Sequence, residues 1–348
     1  MFATIRRNVN DTSGLRRRYA ILAAVASLLA SNMGVARAYA VPQPLAELRA
    51  DVRTLAARLP AASAVEVMDL STGYSAGYNQ SRSMPAASTI KIPVMIEVFK
   101  QLEAGRFNLQ RHVTLLASDK DYGSGELCDL PVDTTYPVSE LLEKMIDISD
   151  NTATNMLIRL VGRRRINRTM RELGLRHTVL TSDVRTTSWN VRQELRSSPS
   201  DMVRLLELMA KRRLVDSWAS GEMISILEQD QYNTLLPEPL PDDVPIAHKT
   251  GSFFDTLDDV GIVYAAQAPY VIAVYTTGLP SRGIGRTFFH RLSSDAYRDE
   301  QRLAAWRATV GIDTFAVGDA VGDSVSTHVP SDVRYWRSGT DLDAAGGQ

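Results

Sequence analysis

Pro85-Ala86-Ala87-Ser88-Thr89-Ile90-Lys91-Ile92-Pro93 is the stretch that decides this chain. At its centre is the tetrad Ser88-Thr89-Ile90-Lys91. Serine is a weak nucleophile until a neighbouring base takes its proton. Residues three apart on a helix share a face, so this spacing sets the Ser88 hydroxyl beside the Lys91 amine. The pattern predicts a helix from about Thr89 to Leu102, with Pro93 tolerated in its first turns. Ser88 then lies at the N-terminus, where the macrodipole favours negative charge. Lys91 can act as a base only if burial or nearby positive charge lowers its pKa. Taken alone, so short a pattern is more often an exposed helix face than a site.

Two further motifs change that balance. Ser149-Asp150-Asn151 starts 61 residues after Ser88, and Lys249-Thr250-Gly251 starts 100 residues after Ser149. Ser149 can relay a proton to a leaving nitrogen, and Asn151 can hold a substrate amide. Asp150 is expected to buttress the loop, since Asp and Asn favour caps and turns. Lys249 can supply the positive charge that Lys91 needs. It precedes a β-rich run, so a substrate can add along a strand edge there. Lys249 and Thr250 would hold a carboxylate while Gly251 leaves room. The backbone N–H groups of Ser88 and Ser252 would form an oxyanion hole.

The surrounding pattern places these motifs. Leu45 to Leu59 reads as an amphipathic helix, and Ala64 to Tyr78 as a hairpin turning at Ser71-Thr72-Gly73. Val138 to Ile148 and Asn155 to Leu160 read as helices broken at Ser149-Asp150-Asn151. Pro199 to Lys211 reads as a helix capped by Ser198 or Ser200. Val260 to Ala265 and Tyr270 to Thr276 read as an antiparallel pair, and a helix near Ser293 to Val310 closes the domain. Strands at both ends with helices between them imply an α+β fold: an antiparallel sheet from both terminal parts, flanking helices and an all-helical lobe. The nucleophile would sit between sheet and lobe.

Composition narrows the setting. The chain has 348 residues, 44% hydrophobic and 23% charged, with a formal net charge of −1. These values suit a soluble globular protein with a large core and give no reason to expect nucleic acid as a partner. Arg6, Arg7 and Arg16-Arg17-Arg18 precede the mostly apolar run Tyr19 to Val35, and Ala36-Arg37-Ala38 and Ala38-Tyr39-Ala40 are small-x-small sites. Residues 1–40 are therefore expected to be a secretory signal peptide, with an uncleaved anchor the weaker reading. Removing them takes away six Arg and one Asp and leaves 33 basic against 39 acidic residues. The expected catalytic domain is 41–315, followed by a polar tail, 316–348. Cys128 is the single cysteine, so no internal disulfide is possible, and a buried small hydrophobe is the expected role. The five histidines are scattered, with no metal-ligand spacing, so neither metal nor cofactor is expected; His248 reads as packing.

With the three motifs in this order, the chain from about Leu45 to Val310 resembles the class A β-lactamase family and its serine-hydrolase relatives. Gly123-Ser124-Gly125-Glu126-Leu127, Ser198-Pro199-Ser200-Asp201-Met202 and Gln231-Tyr232-Asn233 add to the likeness. The resemblance implies that Ser88 is acylated, that Lys91 and Ser149 move protons, and that Asn151, Lys249, Thr250, Gly251 and Ser252 bind substrate. It implies an exported, monomeric hydrolase of β-lactams. A penicillin-binding peptidase acting on D-alanyl peptides and a non-hydrolytic β-lactam sensor are the alternatives. Two departures stand out. The family's omega loop carries a Glu in an E-x-x-L-N segment that frees the acyl-enzyme; if Asn190 matches the Asn, Thr186 stands in that Glu's place. Glu194 or Asp183 would then have to substitute. The family's carboxylate-binding arginine is also missing between Ser252 and Ile262, leaving Arg282 or Arg286.

Overall fold

The computed structural model describes residues 41–186 and 191–315. The expected signal peptide, the polar tail and Asn190 lie outside the described residues. The described residues from Gln43 to Phe315 belong to one compact unit.

Five strands make the main sheet: β1 Ala62–Asp69, β2 Ser75–Tyr78, β3 Ile246–Phe253, β4 Thr256–Val263 and β5 Tyr270–Thr277. They run in the order β2-β1-β5-β4-β3, all antiparallel. The two chain regions therefore meet in the middle, where Val65 pairs with Val274. Alternate side chains of a strand face opposite ways, and here both faces are covered. Val65, Val67, Ile272 and Val274 point to one apolar cluster, with Leu48 and Val52 and with Phe289 and Leu292 from the helices behind the sheet. Ala64, Met68, Val271, Ala273 and Tyr275 point to the other, with the helical lobe.

Eight helices matter here. Behind the sheet lie α1 Gln43–Arg58 and, at the far end of the chain, a long Arg282–Val310 helix. The lobe contains α2 Lys91–Glu103, α3 Val138–Ile146, α4 Asn151–Val161, α5 Arg163–Glu172, α6 Pro199–Ala210 and α7 Ser217–Leu227, so the long helix is α8. Their starts follow ordinary capping chemistry. Asp150 accepts from the Ala153 N–H at α4, Ser198 from Asp201 at α6 and Asp216 from Ala219 at α7.

Two expectations need correction. The α-helix expected from about Thr89 begins two residues later. Ala87–Ile90 form a 3-10 turn, and the α-helix starts at Lys91. Ala87 has φ 37°, a strained value for a residue with a side chain, and it turns the chain into the nucleophile. The last helix also begins well before Ser293, because Ser281 caps it by accepting from the Ile284 N–H. Gly283 and Gly285 hid that start from the sequence pattern. Gly285 is needed there: a Cβ would come within 2.8 Å of both Leu257 and Leu279.

Candidate active site

A cavity of about 470 Å³ opens where the lobe meets the free edge of β3. Ser88, Ser149, Asn151, Thr250, Gly251 and Ser252 all line it. The three motifs, separated by 61 and 100 residues, thus converge on one space.

Lys91 is fully buried. Its Nζ donates to the Ser149 carbonyl at 2.6 Å, to Ser149 Oγ at 2.9 Å and to Asn151 Oδ1 at 2.8 Å. Its hydrogen bonds go to these two residues rather than to Ser88. No carboxylate pairs with it among the described residues. Burial pushes the Lys91 ammonium well below the usual lysine range, and the Lys249 charge adds to that; Asp150, Asp230 and Asp121 pull the other way. The net direction is down, toward a neutral amine that can accept a proton. Ser149 has φ 55°, and this strained turn lets its carbonyl and its hydroxyl face the same amine.

Asp150 buttresses the turn, as its residue type suggests. Besides capping α4, it accepts from the Glu126 and Leu127 N–H groups at 2.8 and 2.9 Å. Gly125 has φ +92° and must be glycine, since a Cβ would lie 2.2 Å from Asp150 Cγ.

On the opposite wall, Gly251 comes up against the nucleophile. A Cβ there would be 3.1 Å from the Ser88 nitrogen and 3.0 Å from Ala87 Cβ. Lys249 is fully buried and 2.8 Å from Asp230 Oδ2. The same carboxylate accepts from the Thr250 N–H at 2.9 Å and Oγ1 at 3.1 Å. Burial opposes ionisation of Asp230, but Lys249 and His248 prevail and hold its carboxyl below the usual range. Sequence reasoning missed Asp230: its position just ahead of Gln231-Tyr232-Asn233 gave no signal. His248 lies alongside, buried, 3.0 Å from Asp259 and 3.1 Å from Asn233 Oδ1.

The loop wall differs from the expected chemistry. Thr186 lines the cavity, and its hydroxyl donates to Asp121 Oδ1 at 2.9 Å. Glu194 accepts from Ser182 Oγ at 2.9 Å, and Asp183 pairs with Arg163 and Arg185; neither lines the cavity. Arg282 and Arg286, at the start of α8, do line it. Cys128 is buried and takes no part. Among the described residues no cluster of His, Cys, Asp and Glu could hold a metal ion, and no helix is long and apolar enough to cross a membrane.

Residues 47–299 match the beta-lactamase enzyme family. The chain belongs to that family. It is 27% identical over 288 residues to a beta-lactamase of Streptomyces fradiae, covering 77% of this chain and 92% of that protein. Identity to a beta-lactamase of Rhodobacter capsulatus is 28% over 142 residues, spanning only about half (48%) of that relative. Among solved structures it is similar to PBP-A, at 28% identity and a TM-score of 0.69, covering 73% of this chain and 96% of that one. A mutant of PBP-A, solved as an acyl-enzyme complex with penicillin G, superposes with a TM-score of 0.70. The α+β fold read from the sequence is the fold these relatives share.

Proposed function

We propose that the protein is an exported, monomeric serine hydrolase of the class A β-lactamase type that opens β-lactams through a Ser88 acyl-enzyme and releases the product slowly. The observation that carries this reading is the fully buried Lys91, held by Ser149 and Asn151 in the wall of the Ser88 cavity with no carboxylate paired to it. Through Ser149, the Lys91 amine takes the Ser88 proton. Ser88 Oγ then attacks the lactam carbonyl, and the developing oxyanion sits by the Ser88 and Ser252 backbone. The ring C–N bond breaks, and Ser149 returns the proton to the leaving nitrogen. The substrate carboxylate lies toward Thr250 and Ser252, with Arg282 and Arg286 supplying charge.

Slow release follows from Thr186. Freeing the acyl group needs a base within hydrogen-bond reach of a water. Thr186 offers a hydroxyl with no useful basicity near neutral pH, and Glu194 is turned to Ser182. The same observation favours a second reading, a penicillin-binding enzyme whose natural substrate is a D-alanyl peptide. The apolar run and small-x-small sites within residues 1–40 support export.

Intact mass spectrometry of the protein incubated with a penicillin, with nitrocefin turnover in parallel, tests the acyl-enzyme and its slow release. The expected result is a Ser88 adduct that persists for many minutes with little turnover, absent from Ser88→Ala. Rapid turnover with no lasting adduct overturns slow release. Absence of any adduct overturns the acyl-enzyme.

A further inference from the structure

We propose that Asp121 is a positioning residue of the acylation machinery: it fixes the Asn151 amide so that its oxygen faces Lys91, and it ties the loop at Thr186 to the same carboxylate. This rests on the acyl-enzyme reading above.

Asp121 is only 4% exposed and lies behind the cavity wall rather than in it. Its Oδ1 accepts from Asn151 Nδ2 at 2.8 Å, the Gly123 N–H at 3.0 Å and Thr186 Oγ1 at 2.9 Å. Its Oδ2 accepts from the Thr186 N–H at 2.8 Å. An asparagine amide can be turned over at little cost unless its surroundings distinguish oxygen from nitrogen. Here they do. Lys91 donates to one end of the amide at 2.8 Å, and a carboxylate oxygen accepts from the other. Without that acceptor the amide can turn its NH₂ toward Lys91, setting donor against donor and releasing Nζ from its place. The logic is that of a carboxylate orienting a catalytic base by holding the far side of its partner.

The arrangement also puts a negative charge near Lys91 without an ion pair. Facing the Lys91 amine are Lys249 from β3, which opposes its protonation, and Asp150, Asp230 and Asp121, which favour it. An ion pair would hold the lysine charged; an interposed amide leaves it a base while moderating the effect of burial. Thr186 shares the anchor. Gly123 leaves it room, since a Cβ there would sit 2.1 Å from Thr186 Cγ2.

The test is the rate of Ser88 acylation by a penicillin as a function of pH, in the full chain and in Asp121→Asn, Asp121→Ser and Thr186→Val, each checked for folding by circular dichroism. Asp121→Asn should lose acylation rate by about 10- to 100-fold at the plateau, the usual scale for misplacing a reacting group. Its acid limb should move to lower pH, because one charge favouring the ammonium is gone. Asp121→Ser, small enough to fit should the Asn variant fail to fold, should show both changes. Thr186→Val, which removes the hydroxyl donor but leaves the Asn151 bond, should lose less rate and keep the acid limb in place. Asp121 variants that fold and match the parent in rate and acid limb overturn the inference. So does a Thr186→Val loss as large as that of Asp121→Asn, since Asp121 would then act through the loop. If the parent forms no Ser88 adduct, the underlying reading falls as well.

Discussion

Lys91 and Lys249 are both fully buried behind residues that line the same cleft, Ser149 and Asn151 for one and Thr250 for the other, yet their surroundings are opposite. Lys249 sits against the Asp230 carboxylate at 2.8 Å. Lys91 touches a carbonyl, a hydroxyl and an amide oxygen, all neutral. Removing a charge from water is costly unless it is paired. The Asp230 carboxylate gives Lys249 a counter-charge at the β3 edge, and Lys249 in turn helps to hold the neighbouring Lys91 uncharged. Neutral acceptors leave Lys91 able to take and give a proton. One residue type thus serves as anchor and as base, and the difference lies in one aspartate.

The largest effect that tests this contrast is on rate. Lys91→Met should reduce Ser88 acylation by about 10²- to 10⁴-fold, the usual contribution of a positioned base. Its thermal midpoint should stay the same or rise, because a buried amine with a depressed pKa opposes folding at neutral pH. A melting scan beside stopped-flow acylation checks both. A midpoint that falls with the rate would mean that Lys91 is a structural cation like Lys249.

Asp230→Asn breaks the other half. It leaves Lys249 buried without its counter-charge, and loss of one partner of a buried pair costs about 3–5 kcal/mol. For a domain of this size that is a fall in midpoint of roughly 6–20 °C. Since pairing depresses the Asp230 pKa, the stabilisation is present above the ordinary aspartate value and lost as pH falls through the lowered one. The gap between parent and variant should therefore close in acid. A gap unchanged down to pH 3 would show that the charge of Asp230 is not what matters.

How far these environments were legible in the sequence follows from their range. The three motifs, the hairpin at Ala62–Tyr78 and the antiparallel pair of β4 with β5 rest on local patterns and spacing, and the chain displays them. Asp121 and Asp230 do not announce themselves. Each is a loop carboxylate with another acidic residue two positions before it, and it is meaningful only through partners 30 and 65 residues away, or 19 and 20. Helix α5 was hidden because its ten residues include five Arg and bury only Ile166, Thr169 and Met170. The α7 run is apolar with little periodicity to mark a helix. At Ser88 the helical spacing was right but the local form was not. The close approach of Gly251 and the φ of Ala87 impose a tighter turn than the sequence alone prefers.

The smallest effect concerns His248, the neighbour that links the Lys249 side of the site to the sheet. Burial pushes its imidazole down, but the Asp259 carboxylate at 3.0 Å, with help from Asp230 and against Lys249, more than offsets this and the net direction is up. A raised pKa in the folded state stabilises fully below the ordinary histidine value of about 6.5 and is lost as pH rises through the folded value. The midpoint of the parent should therefore decline as pH rises above about 6.5, relative to His248→Asn, which cannot take up the proton. Parallel curves for the two proteins from pH 6 to 9 would mean that Asp259 holds a neutral ring.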